Sequence, residues 1–214
     1  HLDYDRWLGP APVAPYCPAR VHKNWRWIMD YGGGRIMDWV GHHLDIAHWG
    51  MGLDTSGPVR VQGTGVIPRE GLWNAPTDYD CTATYADGLT ISIASKYPMG
   101  VKWYGEDGWI FVTRGETKAQ PEAVLDEKIG DDEIRLYKSR NHFANFIACV
   151  QSREQTITPC EVAHRSASVG HLCNIAIYTG RPINWNPKTE EIIGDAAASA
   201  MLTKEYRPPW TLEG

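Results

Sequence analysis

Three side chains within one short stretch have the residue types needed for proton transfer. In the run Gly32-Gly33-Gly34-Arg35-Ile36-Met37-Asp38-Trp39-Val40-Gly41-His42-His43-Leu44-Asp45-Ile46-Ala47-His48-Trp49, one carboxylate precedes an imidazole and a second follows it. Wound as an α-helix at about 100° per residue, His42 falls roughly 40° from Asp38, and Asp45 roughly 20° to the other side. Ile36, Met37, Val40, Leu44, Ala47 and Met51 gather on the opposite face. Such a helix buries an apolar back and presents a polar stripe of Asp38, His42 and Asp45. A carboxylate one turn from an imidazole orients the ring and raises its basicity, which sets a general base near neutral pH. A solvated polar face with a local Asp–His pair has the same spacing. Spacing alone leaves both readings open.

The neighbouring histidines invite a metal reading through His42, Asp45 and His48. Their spacing argues against it: His42 and His48 lie about 120° apart, whereas zinc-binding histidine pairs usually sit four residues apart on one stripe. No metal ligands are therefore assigned, and His43 and His48 are expected to pack and hydrogen-bond. Arg26, between Trp25 and Trp27, is a candidate to hydrogen-bond or stack on a polyhydroxylated substrate, or else to lie over aromatic surface. His22 and Tyr31 approach the same helix and join Trp25 as weaker substrate-binding candidates. His164 shares a helix face with Ser168 and His171; it reads as a substrate contact or as part of a polar face.

The elements that must position these groups follow from the pattern along the chain. Residues 1–24 are rich in proline and aromatics and are expected to run as an extended arm. The glycines 32–34 free the backbone before a helix over about 35–51, which Gly52 caps. Between 58 and 115, Val59–Gly65, Tyr79–Tyr85, Leu89–Tyr97 and Trp109–Thr113 alternate as strands of one antiparallel sheet, with turns at Asp87-Gly88 and Asp107-Gly108. An apolar outer face on that sheet would suit a homo-oligomer. Residues 116–133 read as a charged loop. Phe143, Phe146, Ile147 and Val150 mark an amphipathic helix. Thr158-Pro159-Cys160-Glu161 resembles a capping box opening a helix to Gly180. Residues 182–187 read as a loop, and Asp195 as the cap of a last short helix. The whole, 1–214, is expected to be a single α+β domain, a predominantly antiparallel open-faced sheet with helices packed on one face.

Composition sets the outer limits. A content of 43% hydrophobic and 22% charged residues is that of a globular chain. A net charge of -5 without a basic run speaks against nucleic acid as the partner. Ten Trp and ten Tyr suggest an aromatic-lined pocket or a packed aromatic interface. The five cysteines form no C-x-x-C pair, and Cys149, Cys160 and Cys173 are expected as small core residues. Nothing reads as a membrane span or signal peptide. The chain opens on His-Leu-Asp-Tyr without Met, so an N-terminal segment is expected to be missing, and a cytoplasmic or a periplasmic bacterial location stays open.

The pattern G-G-G-x-x-x-D-x-x-x-H-x-x-D-x-x-x-W resembles the catalytic helix of the Gfo/Idh/MocA oxidoreductases, which include glucose–fructose oxidoreductase and inositol dehydrogenase. Trp7-Leu8-Gly9-Pro10-Ala11-Pro12, Asn24-Trp25-Arg26-Trp27, Asn145-Phe146 and Asn184-Trp185-Asn186-Pro187-Lys188-Thr189-Glu190 extend the resemblance to that family's bacterial-type C-terminal domain. It implies a C-terminal fold like that of dihydrodipicolinate reductase and glyceraldehyde-3-phosphate dehydrogenase. His42 would be the acid/base on a sugar or polyol hydroxyl, Asp38 its support and Asp45 a third polar position. Val40 stands where many relatives carry Gly.

The resemblance further implies NAD or NADP in the full-length enzyme and a homo-oligomer formed through the sheet. The nucleotide-binding Rossmann half, with its Gly-rich turn and a Glu-Lys-Pro motif, is absent from this stretch. Gly63-Thr64-Gly65 lacks the third glycine and runs into Pro68. The chain alone is therefore expected to bind no dinucleotide. Two other classes remain at this level: a non-catalytic carbohydrate-binding or oligomerisation module, and a cofactor-independent hydrolase or lyase using Asp38 and His42.

Overall fold

Alternation of small apolar and polar residues builds the central layer. The computed structural model describes residues 1–212. Eight strands are present among them: β1 (Arg60–Val66), β2 (Thr77–Thr84), β3 (Thr90–Ala94), β4 (Val101–Tyr104), β5 (Trp109–Thr113), β6 (Glu116–Gln120), β7 (Ile183–Asn186) and β8 (Glu191–Ile192). They form two antiparallel sheets, one ordered β3-β2-β1-β7-β8 and one ordered β4-β5-β6. In the larger sheet Val61 lies opposite Ala83, which lies opposite Ile91, and this row faces inward. The adjacent row, Gln62, Thr82 and Ser92, faces out. Arg60, Gln62, Thr64, Asp80 and Ser92 make that outer row polar.

Six α-helices among the described residues complete the fold: α1 (Tyr4–Leu8), α2 (Gly34–Trp39), α3 (Asp45–Met51), α4 (His142–Ser152), α5 (Cys160–Thr179) and α6 (Ala196–Ser199). The longest, α5, lies on the inner face of the larger sheet and buries Val169, Leu172, Cys173 and Ala176 against it. Close approach is possible because β1 offers glycine there. A Cβ on Gly65 would come within 3.1 Å of Ile177, and one on Gly63 within 2.5 Å of the Cys81 sulfur. α2 and α3 pack against α5; of the apolar back expected for Ile36, Met37, Val40, Leu44, Ala47 and Met51, four residues are buried, Met37 is half-buried, and Met51, in the last turn of α3, is 44% exposed.

Several local expectations are corrected. The arm is not wholly extended: Asp3 accepts a hydrogen bond from the Arg6 backbone N–H and starts α1, because no proline intervenes before Pro10. Residues 182–187 contain β7, which pairs with β1. Residues 116–133 contain β6 and a short 3₁₀ turn rather than only loop. Trp109–Thr113 belongs to the smaller sheet, since its hairpin partner is β4 and not β3. Helix α5 begins with Pro159 at the cap position and no side-chain cap, so Thr158 forms no capping box. Cys149 and Cys173 are buried as expected, but Cys160, the first residue of α5, is exposed. No helix among the described residues is long and apolar enough to cross a membrane.

Candidate active site

The segment expected as one regular helix is interrupted at its centre. Between α2 and α3, residues Val40–Leu44 form a π turn, in which the Asp45 backbone N–H reaches the Val40 carbonyl five residues back. One extra residue in an element of 3.6-residue period turns everything beyond it by about 100°. Asp45 therefore leaves the stripe it was expected to share with Asp38 and His42. Its carboxylate turns toward α5 and accepts a 2.7 Å hydrogen bond from the buried Ser166 hydroxyl. Asp45 ties α3 to α5.

What precedes the turn is held just as tightly. Gly34 opens α2 at a φ of +68°, and a Cβ there would lie 2.6 Å from the Cβ of Ala75. The Gly33 carbonyl accepts from the buried Asn174 side chain at 3.1 Å. Gly170 lets α5 approach Met37 and Val40. Residues 166, 170 and 174 of α5 thus form one ridge, spaced four apart, that fixes the register of the π-interrupted helix.

On the exposed side, Asp38 accepts a 3.0 Å charged hydrogen bond from Arg26 Nε. Among the described residues no hydrogen bond joins Asp38 to His42, so the carboxylate is oriented by a guanidinium rather than by the imidazole. Arg26 sits in the 3₁₀ turn His22–Trp27, whose close approach to Gly32 needs that residue's missing side chain: a Cβ would be 3.0 Å from the Arg26 Cα. His42 is exposed, with its ring 5.8 Å from that of Trp39. His43 stacks flat on Trp39 at 5.2 Å, and the Arg114 guanidinium lies 5.7 Å from the same indole. Burial lowers the His43 pKa, and the nearby His42 and Arg114 charges lower it further.

Arg114, just beyond β5, is a site residue that sequence reasoning missed. No periodic signal links it to a helix 70 residues earlier; only the docking of the smaller sheet, where Trp103 lies over Gly50, brings it there. Ser166 was missed for the same reason. His48 behaves as expected, fully buried and joined to the Tyr85 hydroxyl by a 2.5 Å hydrogen bond. Burial depresses its pKa to about 4, against a smaller opposing effect from Asp45, so the ring is neutral near pH 7.

The remaining candidates divide. Trp25 and Tyr31 line a cleft of about 630 Å³ beside Arg26. His22 is exposed at the start of its turn with a φ of 54° and contributes no side-chain hydrogen bond among the described residues. His164 is not brought to the others: it pairs with Glu190 at 2.8 Å, about 200° around α5 from Ser166. Gly63 and Gly65 lie within β1 and serve sheet and helix packing, so the described residues form no strand–glycine–helix cradle for a dinucleotide. Nor is any group of three His, Cys, Asp or Glu arranged to hold a metal among the described residues.

Solved structures share this architecture. An NAD-binding protein from Listeria innocua is 15% identical, with a TM-score of 0.54 over 77% of this chain and 55% of its own. A putative NADPH-dependent oxidoreductase from Desulfitobacterium hafniense is 16% identical, with a TM-score of 0.53 over 75% and 51%. The WlbA dehydrogenase from Bordetella pertussis, solved in complex with NADH and UDP-GlcNAcA, is 17% identical, with a TM-score of 0.52 over 76% and 48%. The chain thus spans about half the length of these structures. No curated protein matches it. The family model described as "Oxidoreductase family, C-terminal alpha/beta domain" matches residues 1–212, and the chain belongs to the Gfo/Idh/MocA oxidoreductase family as a C-terminal domain of this type.

Proposed function

We propose that this chain is the substrate-binding and catalytic half of an NAD(P)-dependent oxidoreductase acting on a sugar or polyol hydroxyl. The observation that carries the reading is the placement of His42, an exposed imidazole on the π turn that directly follows the helix carrying Asp38, a carboxylate fixed by Arg26. Oxidising a secondary alcohol removes a proton from oxygen and a hydride from carbon. In this reading His42 takes the proton as general base and returns it in the reverse direction. Asp38 and Arg26 receive neighbouring hydroxyls: the carboxylate accepts from them and the guanidinium donates to them. The π turn supports the assignment, since such interruptions are frequent at functional positions. A relative solved with a nucleotide sugar supports the substrate class.

In this reading the hydride acceptor is held by a nucleotide-binding domain outside the described residues. The test uses the enzyme with that domain present. His42→Ala lowers kcat for sugar oxidation by about 10²- to 10⁴-fold while sugar binding changes little. Equal rates in the variant and the parent would remove His42 from the mechanism.

A further inference from the structure

The cleft beside Arg26 draws its walls from three distant parts of the chain: Trp7 from α1, Trp25 and Tyr31 around the 3₁₀ turn, and Tyr206 from the C-terminal tail. At about 630 Å³ it falls within the size of small-molecule sites, about 300–1,000 Å³. The Trp7 and Tyr31 rings pack at 5.1 Å, and Trp25 and Tyr206 stand at the rim with 40% and 37% of their surface exposed. Acidic residues border the same space. Asp30 and Glu205 also border the cleft, and neither carboxylate has a hydrogen-bond or ion-pair partner among the described residues. Lys204, by contrast, is engaged with the Met29 carbonyl.

An aromatic-walled cleft bordered by acidic residues matches one ligand chemistry. A sugar ring offers apolar C–H faces to stack and hydroxyls that donate to carboxylates. Asp38 and His42 do not line the cleft, so the reacting ring does not fill it. Yet Trp25 faces the cleft while the next residue, Arg26, holds Asp38, and successive Cα atoms are only about 3.8 Å apart.

We propose that this cleft is a second saccharide subsite, so that the substrate is a glycoside or disaccharide whose non-reacting ring rests on Trp25 and Tyr206. The proposal rests on the sugar reading above for the class of ligand, but its test does not involve turnover. The chain is titrated with cellobiose, maltose and lactose, and separately with glucose and galactose, by tryptophan fluorescence and calorimetry. At least one disaccharide binds about tenfold tighter than its monosaccharides, at millimolar concentration. Trp25→Ala and Tyr206→Ala each weaken that binding by about fivefold. Tyr104→Ala, on the exposed β4–β5 hairpin, leaves it unchanged. Matching thermal unfolding midpoints exclude loss of fold, since both cleft residues are more than a third exposed. The proposal is overturned by absence of disaccharide binding up to about 100 mM, by equal affinity for mono- and disaccharides, or by binding indifferent to both variants. Each of those outcomes leaves the assignment of His42 standing, because that is read from kcat.

Discussion

Arg26 and Asp38 illustrate how position, and not strength, gives a contact its meaning. Their side chains keep 36% and 27% of their surface exposed, and an ion pair so solvated contributes about 0–1 kcal/mol to folding. Arg26→Ala should therefore leave the unfolding midpoint nearly unchanged while lowering kcat/KM for sugar about 10- to 100-fold, because Asp38 loses its orientation. Arg26→Lys should recover part of the binding and little of the geometry, since an ammonium lacks the planar fork. A parallel loss of stability and activity in Arg26→Ala would instead mark a purely structural pair. His48 shows the opposite case. Its pKa is depressed from 6.5 to about 4 in the folded state, so between those values the unfolded chain binds the extra proton. The associated stability is complete above about pH 6.5 and is lost as pH falls toward 4, a change on the order of 3 kcal/mol. Denaturant titrations across that window should show the slope, and His48→Gln should flatten it.

The central helix is the element on which the site depends, and it is also where sequence periodicity misleads. A regular wheel places Asp45 beside Asp38, whereas the π turn at Val40–Leu44 rotates it onto Ser166. Nothing in a period of 3.6 reveals an inserted residue, because the turn is selected by the ridge of α5 that it packs against. The glycine run was legible for a better reason: left-handed backbone and close approach leave no alternative residue. Gly34→Ala would combine a φ of +68° with a 2.6 Å approach to Ala75. We expect a loss of about 2–4 kcal/mol in denaturant unfolding and a lower kcat/KM, since Asp38 lies one turn further on. Retained stability would mean that the loop carrying Ala75 yields easily. The β2–β3 hairpin of the larger sheet was readable from alternation and its Asp87-Gly88 turn. β7 was not, because Pro182 and Pro187 bracket a four-residue strand whose pairing with β1 is set by chain folding across more than 100 positions.

At the scale of the molecule, burial is unevenly shared. The core lies between the larger sheet and α5, where Val61, Val169, Cys173 and Ile183 are all fully buried. Helix α4 stands apart from it. Its amphipathic pattern was correctly read from the sequence, yet Phe143 is 80% exposed and Phe146 and Ile147 are each 55% exposed. What holds α4 is local: Asn141 caps its first turn, and Asn145 bridges the Tyr137 hydroxyl and the Ile157 backbone N–H. Eleven residues are too few for a helix to persist on propensity alone. Opening α4 would expose little additional apolar surface, whereas opening α5 would dissolve the core. Hydrogen exchange on the isolated chain should therefore separate the two, with α4 amides exchanging through local opening and α5 amides only through global unfolding. A difference of at least about 100-fold in protection is expected, corresponding to roughly 3 kcal/mol between the two openings. Asn141→Ala should deprotect α4 further without changing α5, since loss of an N-cap costs about 1 kcal/mol to its own helix. Equal protection of the two helices in the monomeric chain would show that α4 is coupled to the core by contacts other than these three hydrogen bonds.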